Sequence, residues 1–184
     1  DACIIDPGGS FEKIRDFINK KNLNVKSVIL THGHADHIGA LQEVLDEYPG
    51  IELIASKKEK KILNSPANNL TVDFGMKNNS FEATRYVEDG DTYQIGGKTL
   101  KFILTPGHTS GSMCIFDGEI MFTGDTLFEG SIGRTDLPSG SYPEMENSLR
   151  RLSLMDGDII ILPGHGDQST IAQEKRHNPF LRNI

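Results

Sequence analysis

Residues 31–37 read Thr31-His32-Gly33-His34-Ala35-Asp36-His37. Three imidazoles and a carboxylate in six consecutive positions are the nitrogen and oxygen donors that zinc and similar divalent ions prefer. A loop can turn His32 and His34 toward one ion while Asp36 and His37 face another. A helix would spread these side chains around its axis, so the motif is expected on a loop. The flanks agree with a strand end. Val25 to Leu30 is an apolar run rich in β-branched residues, as in a buried strand. After Ala40, the positions Leu41, Val44, Leu45 and Tyr48 repeat at helical spacing. Ligands of open α/β sheets bind outside the carboxyl ends of strands, where this cluster falls.

Working outward, the first part of the chain alternates strand and helix, which argues for an α/β layered domain. Ala2 to Ile5 reads as a strand, and Asp6-Pro7-Gly8-Gly9 as a turn. Ser10 is expected to cap a helix that carries Ile14, Phe17 and Ile18. A strand is expected at Ile51 to Ala55. Ser56 is expected to cap the lysine-rich helix that follows. Residues 64–81 show little periodicity and read as a long surface excursion, either a substrate-facing lid or a plain insertion. Beyond residue 83, Gly96-Gly97 and Asp117-Gly118 mark two hairpins. A helix over Tyr142 to Met155 places Met145, Leu149 and Leu152 on one stripe. A strand at Asp158 to Leu162 and a short helix from Ser169 to His177 complete the pattern. No internal repeat is detectable, and a single domain over 1–184 is expected.

Three further donors also follow strands. They are His108 in Thr105-Pro106-Gly107-His108, Asp125 in Thr123-Gly124-Asp125, and His165 in Pro163-Gly164-His165. Each follows a glycine, which permits a tight turn and close backbone approach. Together with the motif they supply five histidines and two aspartates. His177, on the last helix, reads as an exposed helix-end residue instead.

Composition narrows the function classes. The 184 residues carry a formal net charge of −7. Phosphate-backbone binding is driven by clustered Lys and Arg. The one basic cluster, Lys57, Lys58, Lys60 and Lys61, is interrupted by Glu59 and reads as a solvated helix face. A nucleic-acid partner is therefore not expected. No stretch approaches the roughly 20 apolar residues that span a bilayer, and no signal peptide is visible at the start. Cys3 and Cys114 read as buried free thiols, in keeping with a reducing cytoplasm.

The set His32-x-His34-x-Asp36-His37, His108, Asp125 and His165 resembles the metallo-β-lactamase fold superfamily over Asp6 to His165. The Thr123 to Phe128 run, Gly133-Arg134-Thr135-Asp136 and Asn178-Pro179-Phe180-Leu181 look like its glyoxalase II-like branch. The resemblance implies an α/β, four-layer αββα sandwich with metals at one edge of the two sheets. The family places one or more strands before the Asp-Pro-Gly turn, so the first sheet is expected to be short of them. The C-terminal helical domain of the larger glyoxalase II enzymes is not expected here.

The resemblance also implies roles. His32, His34 and His108 hold one ion, Asp36, His37 and His165 the other, and Asp125 bridges them. The ions are expected to be zinc, with iron or manganese as options. Asp6 supports the motif loop from behind, since ligand histidines need an acceptor for their other nitrogen. Asp36 and Asp125 orient a bridging hydroxide that attacks a carbonyl carbon. Arg134 either binds a substrate carboxylate or forms a surface salt bridge. The implied activity is hydrolysis of a small-molecule thioester such as S-lactoylglutathione. On the same fold, the alternatives are a mono-iron persulfide dioxygenase using His32, His108 and Asp125, and a lactonase. A non-enzymatic structural zinc protein is a further class, but such sites are usually closed and Cys-rich.

Overall fold

The computed structural model describes residues 1–76, 80–182 and 184. The chain divides into two compact units, residues 1–87 with 95–97, and residues 88–94 with 98–184.

The first unit is built on a parallel sheet in the order β1-β2-β3-β4, from β1 (Ala2–Ile5), β2 (Val25–Ile29), β3 (Glu52–Ser56) and β4 (Arg85–Val87). Parallel neighbours need crossover connections. Here α1 (Phe11–Lys21) joins β1 to β2, and α2 (Ala35–Ile38) with α3 (Leu41–Glu47) joins β2 to β3. The helical pattern read after Ala40 is α3, whose Leu41 and Val44 are buried. They pack in one core with Val28 and Leu30, Leu53 and Ala55 of the β3 strand, and Leu63. Leu41 has no exposed surface. Leu41→Ala is therefore expected to cost about 2–5 kcal/mol, read as a lower urea midpoint at unchanged slope.

Two local expectations need correction. Ser10 sits at the N-cap of α1 but in the left-handed region, at φ 54°, and its side chain makes no capping bond. Left-handed backbone leaves the extended geometry that lets an N-cap hydroxyl reach forward. The metal motif is also not all loop, since Ala35–Ile38 forms a single helical turn that begins at His34. One turn is short enough to keep Asp36 and His37 adjacent while pointing them in different directions. Ser56 does cap, accepting from Lys58 N at the 3-10 turn Lys57–Glu59, which leads into α4 (Lys60–Leu63). In the surface excursion, residues 77–79 lie outside the described residues. Within the described part, Asn69 and Thr71 are buried, while Val72 and Phe74 are exposed.

The second unit carries a six-stranded sheet in the order β12-β11-β8-β7-β6-β5. Its strands are β5 (Thr92–Ile95), β6 (Lys98–Leu104), β7 (Met113–Phe116), β8 (Ile120–Gly124), β11 (Ile160–Pro163) and β12 (Ser169–Thr170). A separate two-stranded ribbon pairs β9 (Leu127–Phe128) with β10 (Ser131–Ile132). Both hairpin signals are realised. Gly96 and Gly97 take φ of 54° and 80°, the double positive φ that a two-residue type I′ turn requires. Asp117 Oδ1 accepts from both Glu119 N and Ile120 N to close the second turn.

Helix α5 (Tyr142–Ser153) begins at Ser141, whose hydroxyl accepts from Glu144 N, and α6 (Ile171–His177) begins at Thr170. The expected stripe Met145, Leu149 and Leu152 is buried with Ile103, Cys114, Met121, Ile161 and Ile171. Burial raises the Cys114 thiol to about 11, so it behaves as a small apolar group. Cys3 is half-buried. Among the described residues, no helix is long and apolar enough to cross a membrane.

Candidate metal centre

In the first unit, β2 ends directly before the motif, and the chain presents three buried imidazoles, His32, His34 and His37. Their order comes from Asp6, in the turn after β1. Asp6 Oδ1 accepts from Thr31 N at 2.7 Å. Asp6 Oδ2 accepts from Thr31 Oγ1 at 2.5 Å and pairs with His37 Nδ1 at 2.8 Å.

These bonds determine where the ring protons lie. An ionised carboxylate only accepts, so His37 Nδ1 carries the proton and its lone pair is on Nε2. The Thr31 hydroxyl has spent its single proton on Asp6. Its 3.2 Å contact with His32 Nδ1 is therefore one in which Nδ1 donates, and His32 Nε2 likewise carries the lone pair. One carboxylate sets the tautomer of two imidazoles, one directly and one through a hydroxyl. The rings of His32 and His37 lie 4.0 Å apart, and those of His32 and His34 4.9 Å. Asp36 Oδ2 stands 4.0 Å from His37 Nε2. Gly8 makes the close approach possible, because a Cβ there would sit 1.9 Å from Asp36 O.

In the second unit, His108 follows β6, Asp125 follows β8 and His165 follows β11, as expected from their strand-end positions. β11 and β8 are parallel neighbours, with Leu162 opposite Phe122 and Pro163 opposite Gly124. That register delivers Asp125 and His165 to the same sheet end. Asp125 Oδ2 lies 3.6 Å from His108 Nε2 and 3.6 Å from His165 Nε2. His108 Nδ1 pairs with Arg134 O at 2.7 Å. A carbonyl only accepts, so the lone pair of neutral His108 is on Nε2. It faces the carboxylate oxygen as acceptor against acceptor.

A separation of 3.6 Å is too long for a hydrogen bond. It suits two donors on one ion, since bonds of about 2.0–2.2 Å at a tetrahedral angle place ligand atoms about 3.4 Å apart. The donor set therefore fits a divalent cation in its chemistry. It is all imidazole and carboxylate, without thiolate, which suits zinc, iron or manganese.

The Gly133-Arg134-Thr135-Asp136 segment braces this unit's donors. A Cβ on Gly133 would lie 1.9 Å from Asp125 O, so only glycine lets the loop pass behind Asp125. The Arg134 guanidinium forms a two-pronged pair with Asp136 at 2.7 and 2.8 Å. That pair holds the Asp136 carboxyl down at about 2. The contribution of Arg134 to His108 is its backbone carbonyl, which no residue-type pattern reveals. Sequence reading also missed Thr31 as the link to His32. His177 is exposed at the end of α6, as expected.

The family of metallo-hydrolases that uses such donors is identified by comparison. The model of the metallo-β-lactamase superfamily matches residues 1–165, and the chain belongs to that superfamily. The hydroxyacylglutathione hydrolase GloC of Haemophilus influenzae is 40% identical, over 98% of this chain and 87% of that protein. Among solved structures, the B3 metallo-β-lactamase BLEG-1 is 34% identical, with a TM-score of 0.90 over 98% of this chain and 88% of its own. TTHA1623, in a di-iron-bound form, is 30% identical, with a TM-score of 0.86 over 96% and 88%. These likenesses establish the α/β fold of the metallo-β-lactamase type.

Proposed function

We propose that this chain is a metal-dependent hydrolase that cleaves the thioester of a small thiol, with S-lactoylglutathione as the substrate to test. The observation that carries the metal part is Asp125 Oδ2 at 3.6 Å from two imidazole nitrogens. The thioester part is supported by the 40% identity to a hydroxyacylglutathione hydrolase.

His32, His34 and His108 would hold one ion, Asp36, His37 and His165 would hold the second, and Asp125 would add its carboxylate. Divalent ions supply Lewis-acid polarisation of a carbonyl oxygen and bring the pKa of water to about 7. The protein's part is orientation. Asp6 and Arg134 O hold protons on the Nδ1 atoms of His37 and His108, which keeps their Nε2 lone pairs available. The Asp36 side chain is 41% exposed whereas that of His37 is 4%. Asp36 is thus the exposed member of the first unit's proposed donors, His32, His34 and His37 being buried, and it is proposed to orient the attacking water. A net charge of −7 supports a small-molecule substrate over nucleic acid. The cytoplasm is the proposed location.

Arg134 reaches a substrate carboxylate in this scheme by exchanging it for Asp136. Arg134→Ala is then expected to raise KM about tenfold with kcat nearly unchanged, the signature of lost uniform binding. An unchanged KM in a steady-state assay would leave Arg134 with Asp136 alone.

The deciding experiment measures metal per chain by elemental analysis and thiol release from S-lactoylglutathione. Two ions per chain with thiol release is the expected result. A single iron, no thiol release and oxygen uptake on glutathione persulfide would replace hydrolysis with oxidation. Hydrolysis of nitrocefin without thiol release would move the substrate to a β-lactam.

A further inference from the structure

Glu59 is the one acidic residue in the lysine-rich segment, and it does not share the lysines' environment. Lys57, Lys58, Lys60 and Lys61 are exposed, whereas Glu59 is 1% exposed. A carboxylate taken out of water is costly unless hydrogen-bond donors or positive charge compensate it. Its Oε1 accepts from Gly33 N at 2.9 Å. Gly33 is the residue between His32 and His34.

The same short segment closes on Gly33 from its apolar side. A Cβ on Gly33 would meet Leu63 Cδ2 at 2.9 Å and Ile62 Cγ2 at 3.3 Å. The turn over residues 56–63 thus brackets one peptide of the metal motif. Ser56 fixes the start of that turn by accepting from Lys58 N. Ser56-x-x-Glu59 has the form of a capping box, in which the glutamate reaches back to its own helix start. Here Glu59 reaches across to a different loop.

We propose that Glu59 is a positioning residue of the metal site. It holds the Gly33 peptide so that His32 and His34 turn to the same ion. Ring nitrogens of His32 and His34 lie within 4.8 Å of each other, close enough for one ion. A bond to the intervening N–H keeps that alignment. The inference rests on the proposed metal site but not on its substrate.

The test follows zinc release from the loaded full-length chain to a chromophoric chelator, in wild type, Glu59→Gln and Glu59→Ala. Glu59→Gln keeps one oxygen as acceptor for Gly33 N and replaces the other by an amide N–H₂. Glu59→Ala removes both. Loss of a group that orients a metal ligand typically weakens the metal about 10–100-fold. The expected result is an approximately tenfold weakening in Glu59→Gln and a larger one in Glu59→Ala, confined to one of the two ions. The ion that Glu59→Ala retains should be the one that His37→Ala loses. Wild-type affinity for both ions in Glu59→Gln and Glu59→Ala would overturn the proposal. So would an equal loss at both ions that tracks a lower melting temperature of the metal-free chain, the mark of a purely structural role. Should Glu59→Ala fail to fold, the isosteric Glu59→Gln decides alone. Failure of wild type to hold zinc would instead overturn the metal reading itself.

Discussion

Replacing Asp125 by Ala is expected to lower kcat/KM for thiol release by about 10³-fold, while the fold survives. Metal ions contribute several kcal/mol of transition-state charge stabilisation in such sites, and each 1.36 kcal/mol is tenfold in rate. Removing a carboxylate that stands 3.6 Å from two imidazole nitrogens takes away the only anion among the second unit's three proposed donors. Backbone–backbone bonds hold the loop around it. Thr126 N bonds to Thr123 O and Gly164 N to Gly124 O, and the Asp125 carbonyl stays where Gly133 needs it. Urea unfolding with a midpoint near that of wild type would show this. Asp125→Asn separates shape from charge, because the amide keeps the volume and brings an N–H₂ toward the lone pair of His108. Undiminished hydrolysis by either variant would sink the mechanism.

Much of this was legible because the informative residues are side chains at strand ends. Apolar runs locate the strands, and His32, His34, His108, Asp125 and His165 stand just beyond them. Parallel pairing of β8 with β11 then makes Asp125 and His165 neighbours. The helix stripe Met145, Leu149 and Leu152 was legible for a similar reason, since 3.6-residue periodicity and burial coincide there.

What escaped has a physical reason in each case. Arg134 acts on His108 through a main-chain carbonyl that every residue possesses. Thr31 looks like the polar end of a strand, and its part as a relay appears only once Asp6 is seen to take its proton. Glu59 was hidden by composition, among four lysines. Its spacing held a signal, because Glu59, Ile62 and Leu63 follow the i, i+3, i+4 pattern of one buried face. Ser10 had the right residue type for a cap but lacked the extended backbone that capping needs.

Asp6 carries the second large effect, and Asp6→Asn is expected to lower metal affinity about 10–100-fold. Asp6 lies at φ 47°, a conformation that Asn tolerates as well as Asp, so backbone strain does not enter. The argument is about acceptors. Two carboxylate oxygens serve three donors, namely Thr31 N, Thr31 Oγ1 and His37 Nδ1. An amide offers one acceptor oxygen. With that oxygen toward Thr31 Oγ1 and His37, its N–H₂ confronts the Thr31 N–H, donor against donor. In the flipped orientation the N–H₂ faces His37 Nδ1, and relief comes from moving the His37 proton to Nε2, the atom proposed to hold metal. Thr31 then also loses its acceptor and no longer selects the tautomer of His32. Asp6→Asn should thus weaken both ions. Thr31→Val, which removes only the relay, should weaken the His32 ion alone, and Thr31→Ser should restore it. Competition with a chelator resolves the two losses, and NMR of the imidazole Nδ1 protons reports the tautomers directly. Loss of both Nδ1 resonances in Asp6→Asn, and of the His32 resonance alone in Thr31→Val, is the pattern this network requires. Retention of both in Asp6→Asn would mean that the ring protons are fixed by something other than Asp6.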